Sequence, residues 1–228
     1  MKYDPSIEGL KHNSLFSSLT DAELQDIRGK IILKKIKRNE IILREEHTNE
    51  FMYIILDGGA KVIQTTDAGK EIIVTLHKAG DFFGELSLID GKTAPAAVRA
   101  TRDSQIAIIS KQEFFSMIKK QEKILDNLLQ ILCSRIRESM QKIQILNFNN
   151  AAQRVQMLLM MLAESHGEKT REGTILQLKL IHQDIADMTG LTRETVTRVL
   201  DKWRRGGEIK ILPNKSILLT PEFESILF

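Results

Sequence analysis

The sequence predicts an α+β chain: an N-terminal antiparallel β jelly roll, a long dimerisation helix and a C-terminal winged helix-turn-helix. Three observations predict it. Short β-branched runs recur between residues 31 and 110, separated by turn chemistry. A stretch without glycine or proline follows, with apolar residues alternately four and three apart. Two amphipathic helical patterns then flank a tight turn near the C-terminus.

Composition sets the bounds. With 228 residues the chain has room for one large or two modest domains and can bury a sizeable core. No run of apolar residues is long enough to span a bilayer, and MKYDPSIEGL has neither a basic nor an apolar leader region, so the expected location is the cytoplasm. A single cysteine, Cys133, excludes an internal disulfide or a thiolate cluster within one chain. It reads as a small buried apolar residue, and redox control through it would have to be intermolecular. The net charge of +3 does not by itself point to nucleic acid. Its placement does more, because Arg193, Arg198, Lys202, Arg204 and Arg205 outnumber Glu194 and Asp201 in one short stretch.

Residues 1 to about 30 read as short helices, with Thr20 and Glu23 as a capping box ahead of Leu24 and Ile27. From Ile31, the runs IILKKI, EIILR, MYIIL, AKVIQTT, EIIVTLH, AAVRAT and SQIAIIS read as strands. Turn chemistry stands between them at Asp57-Gly58-Gly59, Asp67-Ala68-Gly69, Ala79-Gly80-Asp81 and Asp90-Gly91. Short strands at this regular spacing argue for an antiparallel barrel or jelly roll. The first domain, residues 1–110, ends at Ser110, which is expected to form a second capping box with Glu113.

Residues 111–147 read as one continuous helix of roughly 50 Å. Leu125, Leu129, Leu132, Ile136, Ser139, Ile143 and Leu146 form a heptad seam, expected to pair two copies of the chain. The alternative is packing against the chain's own strand domain. Ser139 is the polar interruption, a position that could fix register or face a ligand. Asn147-Phe148-Asn149-Asn150 reads as a hinge into the third domain, residues 148–228. There Arg154 to Leu162 forms an apolar-faced helix, and Gly167 to Gly173 reads as a polar loop. GEIKIL and SILLT, joined at Pro213-Asn214, read as a two-stranded wing.

Between loop and wing, Ile185, Met188, Leu191, Val196, Val199 and Leu200 recur at helical spacing around Thr189-Gly190. This is a helix-turn-helix, with Thr192 at the N-cap of the second helix. Arg193, Glu194 and Arg198 project from its first two turns, where side chains reach base edges. Arginine can bond bidentately to guanine O6 and N7, and a carboxylate can accept from cytosine N4. His182, Gln183, Thr192, Thr195 and Lys202 are placed to touch DNA phosphates, with capping and solvation the competing role for the first four.

This order of parts resembles the Crp/Fnr family (cyclic-AMP receptor protein and fumarate-nitrate regulator) of bacterial transcription factors, over nearly the whole chain. Two motifs carry the resemblance. GDFFGELSLIDG, Gly80 to Gly91, looks like the family's phosphate-binding cassette, and TGLTRETVTRVL, Thr189 to Leu200, is similar to its recognition helix with the preceding turn. The resemblance implies a cytoplasmic homodimer that reads a TGTGA-like palindromic half-site in double-stranded DNA and works with RNA polymerase. It also implies an effector cassette that begins at Gly84, Glu85, Leu86 and Ser87, with Glu85 suited to a ribose hydroxyl.

Where cyclic-nucleotide-binding members carry an arginine and a serine or threonine on the phosphate, this chain has Ala94 and Pro95. Losing the arginine removes a charge-assisted bond of about 1.5–3 kcal/mol. Proline also lacks the amide N–H. Arg99 falls on the strand face opposite to Ala94, Ala96 and Val98, and Lys92 or Thr93 would need a loop rearrangement. The expectation is an effector other than cyclic AMP, or none, with no certain cofactor. The alternatives are a cyclic-AMP- or cyclic-GMP-dependent regulator despite the altered cassette, and a ligand-binding module whose winged helix docks a protein partner. His77, at the end of a strand, is available as an axial haem ligand but reads as a surface residue. No nucleophile motif, metal-ligand cluster or acid-base pair suggests an enzyme.

Overall fold

The computed structural model describes residues 9–226, so the helical reading of residues 1–8 lies outside the described residues. The chain divides into two compact units, Met1–Ile136 and Arg137–Phe228.

In the first unit a 3-10 turn at Ser14–Phe16 and helix α1 (Asp21–Arg28) precede the strands. The Thr20 hydroxyl accepts from the Glu23 amide, and the Glu23 carboxylate accepts from the Thr20 N–H at 2.7 Å, closing the expected capping box. The strands are β1 (Ile32–Ile36), β2 (Ile41–Leu43), β3 (Phe51–Asp57), β4 (Gly59–Thr65), β5 (Glu71–Lys78), β6 (Phe82–Phe83), β7 (Ala97–Ala100) and β8 (Ser104–Ser110). They form two antiparallel four-stranded sheets, β1-β8-β3-β6 and β2-β7-β4-β5, as a jelly roll requires. Seven of these strands coincide with the seven runs read from the sequence. The eighth, β6, has two residues paired with Tyr53 and Ile54, too few to show a period.

Strand β3 is buried on both faces. Met52 and Ile54 enter a core with the helices, while Tyr53 and Ile55 enter the core between the sheets. The helix-side core also takes Leu15, Phe16, Leu24 and Ile27 from the N-terminal cover.

The helix expected over residues 111–147 is instead two, α3 (Lys111–Lys120) and α4 (Glu122–Asn147), separated by Gln121 in extended conformation at φ −130° and ψ 94°. Phe114 and Met117 of α3 and Ile124 and Leu128 of α4 all enter the same core. A single straight rod cannot wrap that core, so the chain bends between the two helices. No glycine or proline marks the bend, which is why the sequence does not betray it. Ser110 caps α3, its hydroxyl accepting from the Glu113 amide at 3.3 Å. Glu113 Oε2 is buried without a partner, so only one arm of that expected box is seen. Cys133 is exposed on α4, not buried. The inward side of the helix is set by Ile124 and Leu128 with Leu132 partly covered, and one further residue turns the side chain about 100° away.

In the second unit α5 (Ala151–His166) leads into β9 (Gly167–Thr170) and β10 (Gly173–Leu176). Helices α6 (His182–Thr189) and α7 (Arg193–Gly206) follow, then β11 (Ile209–Ile211), β12 (Ile217–Leu219) and α8 (Pro221–Glu224). The stretch expected to be a polar loop is a hairpin, and the wing is a four-stranded sheet in the order β11-β12-β10-β9. Every residue of β9 is exposed, so it carries no apolar alternation, and backbone pairing with β10 holds it. Val155, Leu158, Leu159 and Leu162 of α5 pack with Ile185, Val196, Leu200, Trp203 and Phe223. Trp203 meets Phe223 edge-on at 5.1 Å.

Trp203→Ala removes the largest side chain of this second core and is expected to destabilise the C-terminal unit by about 3–5 kcal/mol. Urea denaturation followed by circular dichroism measures it, and a loss below about 1 kcal/mol would contradict the packing described.

Candidate DNA interface and ligand cassette

Helix α6 ends at Gly190, whose φ of +66° is the left-handed conformation that glycine adopts without cost, and whose N–H bonds to the Ala186 carbonyl. Thr192 then caps α7, its hydroxyl accepting from the Thr195 amide at 3.2 Å. Val196, Leu200 and Trp203 turn inward. Glu194, Arg198 and Lys202 are consequently exposed on the other side of α7, and Arg193 is exposed at its first position.

Several of the polar residues singled out from the sequence are tied to one another. Arg198 Nη2 donates to Thr195 Oγ1 at 3.3 Å, and that hydroxyl lies 3.0 Å from Thr192 Oγ1. His182 Nδ1 is 2.8 Å from Thr197 Oγ1, a contact that pins the start of α6 to α7. Gln183 Nε2 donates to Asp187 Oδ1 at 2.7 Å and is exposed. Two contributors were not read from the sequence. Thr197 is one. Arg154 is the other, donating from Nε to the Phe148 carbonyl at 2.6 Å and from Nη1 to the Thr189 carbonyl at 3.4 Å. It thereby joins the segment before α5 to the last turn of α6. Both act across elements, where no local pattern announces them.

The cassette lies in the first unit. Gly84, at φ +88°, approaches β3 so closely that a Cβ would stand 2.7 Å from the Phe51 carbonyl oxygen. Asn49 Nδ2 holds the approach, donating to the Gly84 carbonyl at 3.0 Å and to that of Phe51 at 2.7 Å. Helix α2 (Glu85–Asp90) starts here. Glu85 is 2% exposed, and its Oε1 accepts from Arg135 Nη1 at 2.6 Å. Arg135 also donates to the Phe82 carbonyl at 2.5 Å and lies 4.5 Å over the Phe82 ring. Glu85 Oε2 and Ser87 Oγ are buried without a partner, while Leu86 is exposed. Arg135 is fifty positions from Glu85, and no spacing rule joins them.

Ala94 is buried, its N–H donating to the His47 carbonyl at 3.0 Å and its carbonyl accepting from the Glu46 amide at 2.8 Å. Pro95 is exposed and accepts from Gln64 Nε2 at 3.0 Å. Arg99 makes a bidentate pair with Glu71 at 2.6 and 3.1 Å, whose hydrogen bonds hold the Glu71 carboxyl below its ordinary pKa. His77 is not the surface residue expected. Its side chain is 10% exposed, stacked on Phe83 at 5.7 Å with Nδ1 3.5 Å from Asp81 Oδ2.

On α4, Leu125, Leu129, Ile136, Ile143 and Leu146 are exposed, joined by Met140. Leu132 is partly buried against the helix-side core, and Ser139 is exposed. No helix among the described residues is long and apolar enough to cross a membrane.

Two family models match this chain. Residues 33–121 match a cyclic nucleotide-binding domain, and residues 153–222 match a Crp-like helix-turn-helix domain. A CRP-like cAMP-activated global transcriptional regulator from Mycobacterium tuberculosis is 30% identical over 80% of this chain and 81% of its own length. A global nitrogen regulator from Synechocystis sp. is 29% identical over 83% of this chain and 85% of its own. The fold is shared with a CooA mutant from Carboxydothermus hydrogenoformans, at a TM-score of 0.78 and 21% identity over 93% of this chain and 94% of that one. A cyclic nucleotide-binding domain followed by a Crp-like helix-turn-helix defines the class: a DNA-binding transcriptional regulator. The chain belongs to the Crp/Fnr family.

Arg135→Ala strands the buried Glu85 carboxylate and is expected to destabilise the N-terminal unit by about 3–5 kcal/mol. Adding Glu85→Gln should recover part of the loss, because a neutral amide costs less to bury than an unpaired charge. A double mutant as unstable as Arg135→Ala alone, in urea titrations, would show that the pair does not neutralise that charge.

Proposed function

We propose that this chain is a homodimeric regulator that reads a TGTGA-like palindromic half-site and responds to an effector other than cyclic AMP, or to none. In this reading residues 1–110 are the sensor domain, 111–147 the dimerisation segment and 148–228 the DNA-binding domain, and the dimer works in the cytoplasm with RNA polymerase. The observation that carries the DNA part is the exposed set Arg193, Glu194 and Arg198 on the first two turns of α7, a helix locked in place by the buried Val196, Leu200 and Trp203. Each bidentate base contact contributes about 1–3 kcal/mol of discrimination. His182, Gln183, Thr192, Thr195 and Lys202 meet phosphates and set the register of the module on the duplex.

The effector part rests on the altered cassette. The backbone groups of Ala94 are already used, Pro95 has no N–H, and Arg99 is committed to Glu71, so none of them supplies the phosphate grip. The groups left unpartnered, Glu85 Oε2 and Ser87 Oγ, favour a ligand that brings hydrogen-bond donors. A cyclic-nucleotide-dependent regulator is the second reading, favoured by the domain match over residues 33–121 and by Glu85 itself.

The homodimer rests on the uncovered seam of α4. Five large apolar side chains facing water along one helix are the pattern that a parallel partner helix buries.

A gel shift on a duplex carrying the TGTGA palindrome, without ligand and then with cyclic AMP, tests the assignment. Arg193→Ala and Arg198→Ala should each weaken specific binding roughly 5- to 150-fold while leaving non-specific binding nearly unchanged. A strict need for cyclic AMP would overturn the effector reading, and no specific shift under any condition would overturn the DNA reading. Replacing both Ile136 and Ile143 with glutamate should give a monomer in analytical ultracentrifugation that binds the palindrome about 100-fold more weakly, because the second half-site contact loses its tether. A dimer that survives both charges would place the interface elsewhere.

A further inference from the structure

The β roll carries a cavity that is open on one side. A cavity of about 230 Å3 lies among β1, β2, β3 and β8. On β1 and β8 the register pairs Ile32 with Ile108 and Lys34 with Ile106, and alternation turns Ile32, Lys34 and Ile36 to one face. Ile42 from β2 and Tyr53 from β3 complete the wall, and Phe51 stands at its edge. None of these residues belongs to the cassette around Glu85, Ser87, Ala94 and Pro95.

Two features of the cavity are costly if it serves only as packing. Ile32 is 64% exposed and Phe51 41% exposed, so large apolar surface stands in water at the rim. Lys34 is the cation among the lining residues, and its Nζ is a loose 3.4 Å from Glu40 Oε1, with more than half of its side chain exposed. Glu40 does not depend on that contact. Its carboxylate accepts from the Lys37 amide at 3.0 Å, and this bond, ahead of Lys34, holds its pKa down. An incoming carboxylate can therefore take Lys34 without stranding Glu40.

We propose that this cavity binds a small monocarboxylic acid, with its aliphatic or aromatic body among the isoleucines and its carboxylate on Lys34. At roughly 30 Å3 per water-sized group, the volume holds about eight non-hydrogen atoms, the size of hexanoate or benzoate. The wall is wired to the cassette. Tyr53 stacks on Phe83 at 5.2 Å, its hydroxyl donates to Asn49 Oδ1 at 3.4 Å, and Asn49 in turn holds the Gly84 carbonyl. An occupant touching Tyr53 thus leans on the two residues that precede Glu85.

The test uses the full chain with labelled isoleucine δ1 methyls, titrated with hexanoate, benzoate and hexylamine and followed by methyl NMR, with no DNA present. Its outcome is therefore separate from that of the DNA reading. Saturable shifts are expected at Ile32, Ile36, Ile42, Ile106 and Ile108 with the two acids and not with the amine. Lys34→Gln, an exposed substitution that leaves the fold intact, should weaken acid binding about tenfold. Ile108→Phe, which fills the space, should abolish it, and Lys34→Gln keeps the test decisive if that variant misfolds. No saturable shift at millimolar acid, equal binding of hexylamine, or an unchanged affinity in Lys34→Gln would each overturn the proposal.

Discussion

A carboxylate buried at the start of α2 constrains much of the first unit. Glu85 is 2% exposed, and Arg135 reaches it from α4 while also bonding the Phe82 carbonyl. Together with Ile124 and Leu128 on the same side, that contact fixes the rotation of α4 about its own axis. Once the rotation is set, Leu125, Leu129 and Ile136 have no choice but to face outward. The inward and outward stripes are offset by one residue along the helix.

At the other end of the chain the requirement is rigidity. Helix α7 is fixed in place by burying Val196, Leu200 and Trp203, which leaves Glu194 and Arg198 exposed on its opposite side. Arg154 and the His182–Thr197 contact add polar ties that hold α6 against its neighbours. Those ties leave Arg193, Glu194, Arg198 and Lys202 exposed.

The cassette turn is held by backbone geometry. Gly84 is required by the close approach to the Phe51 carbonyl, whatever the ligand. The turn and α2 are therefore kept for backbone reasons. Ala94 has become part of the core, bonded on both sides to the Glu46–His47 segment, and Arg99 serves Glu71. Both residues are thus engaged within the β roll, and among the described residues of the cassette the unsatisfied polar atoms are a carboxylate oxygen and a hydroxyl.

By itself the sequence determined most of what repeats over a few residues. Seven strands followed from alternation and turn residues, the α1 cap from Thr20 and Glu23, and the helix-turn-helix from apolar spacing around Gly190, because these signals repeat within a few residues. The tertiary structure decided what depends on distant partners. Gln121 is extended because α3 and α4 must pack on one curved core. Cys133 is exposed and His77 covered because the faces of α4 and β5 are chosen by what packs on them, not by residue type. The Glu85–Arg135 pair and the cavity beneath Ile108 belong to the same class. Both are made by residues far apart in the chain, and only folding brings their chemistry together.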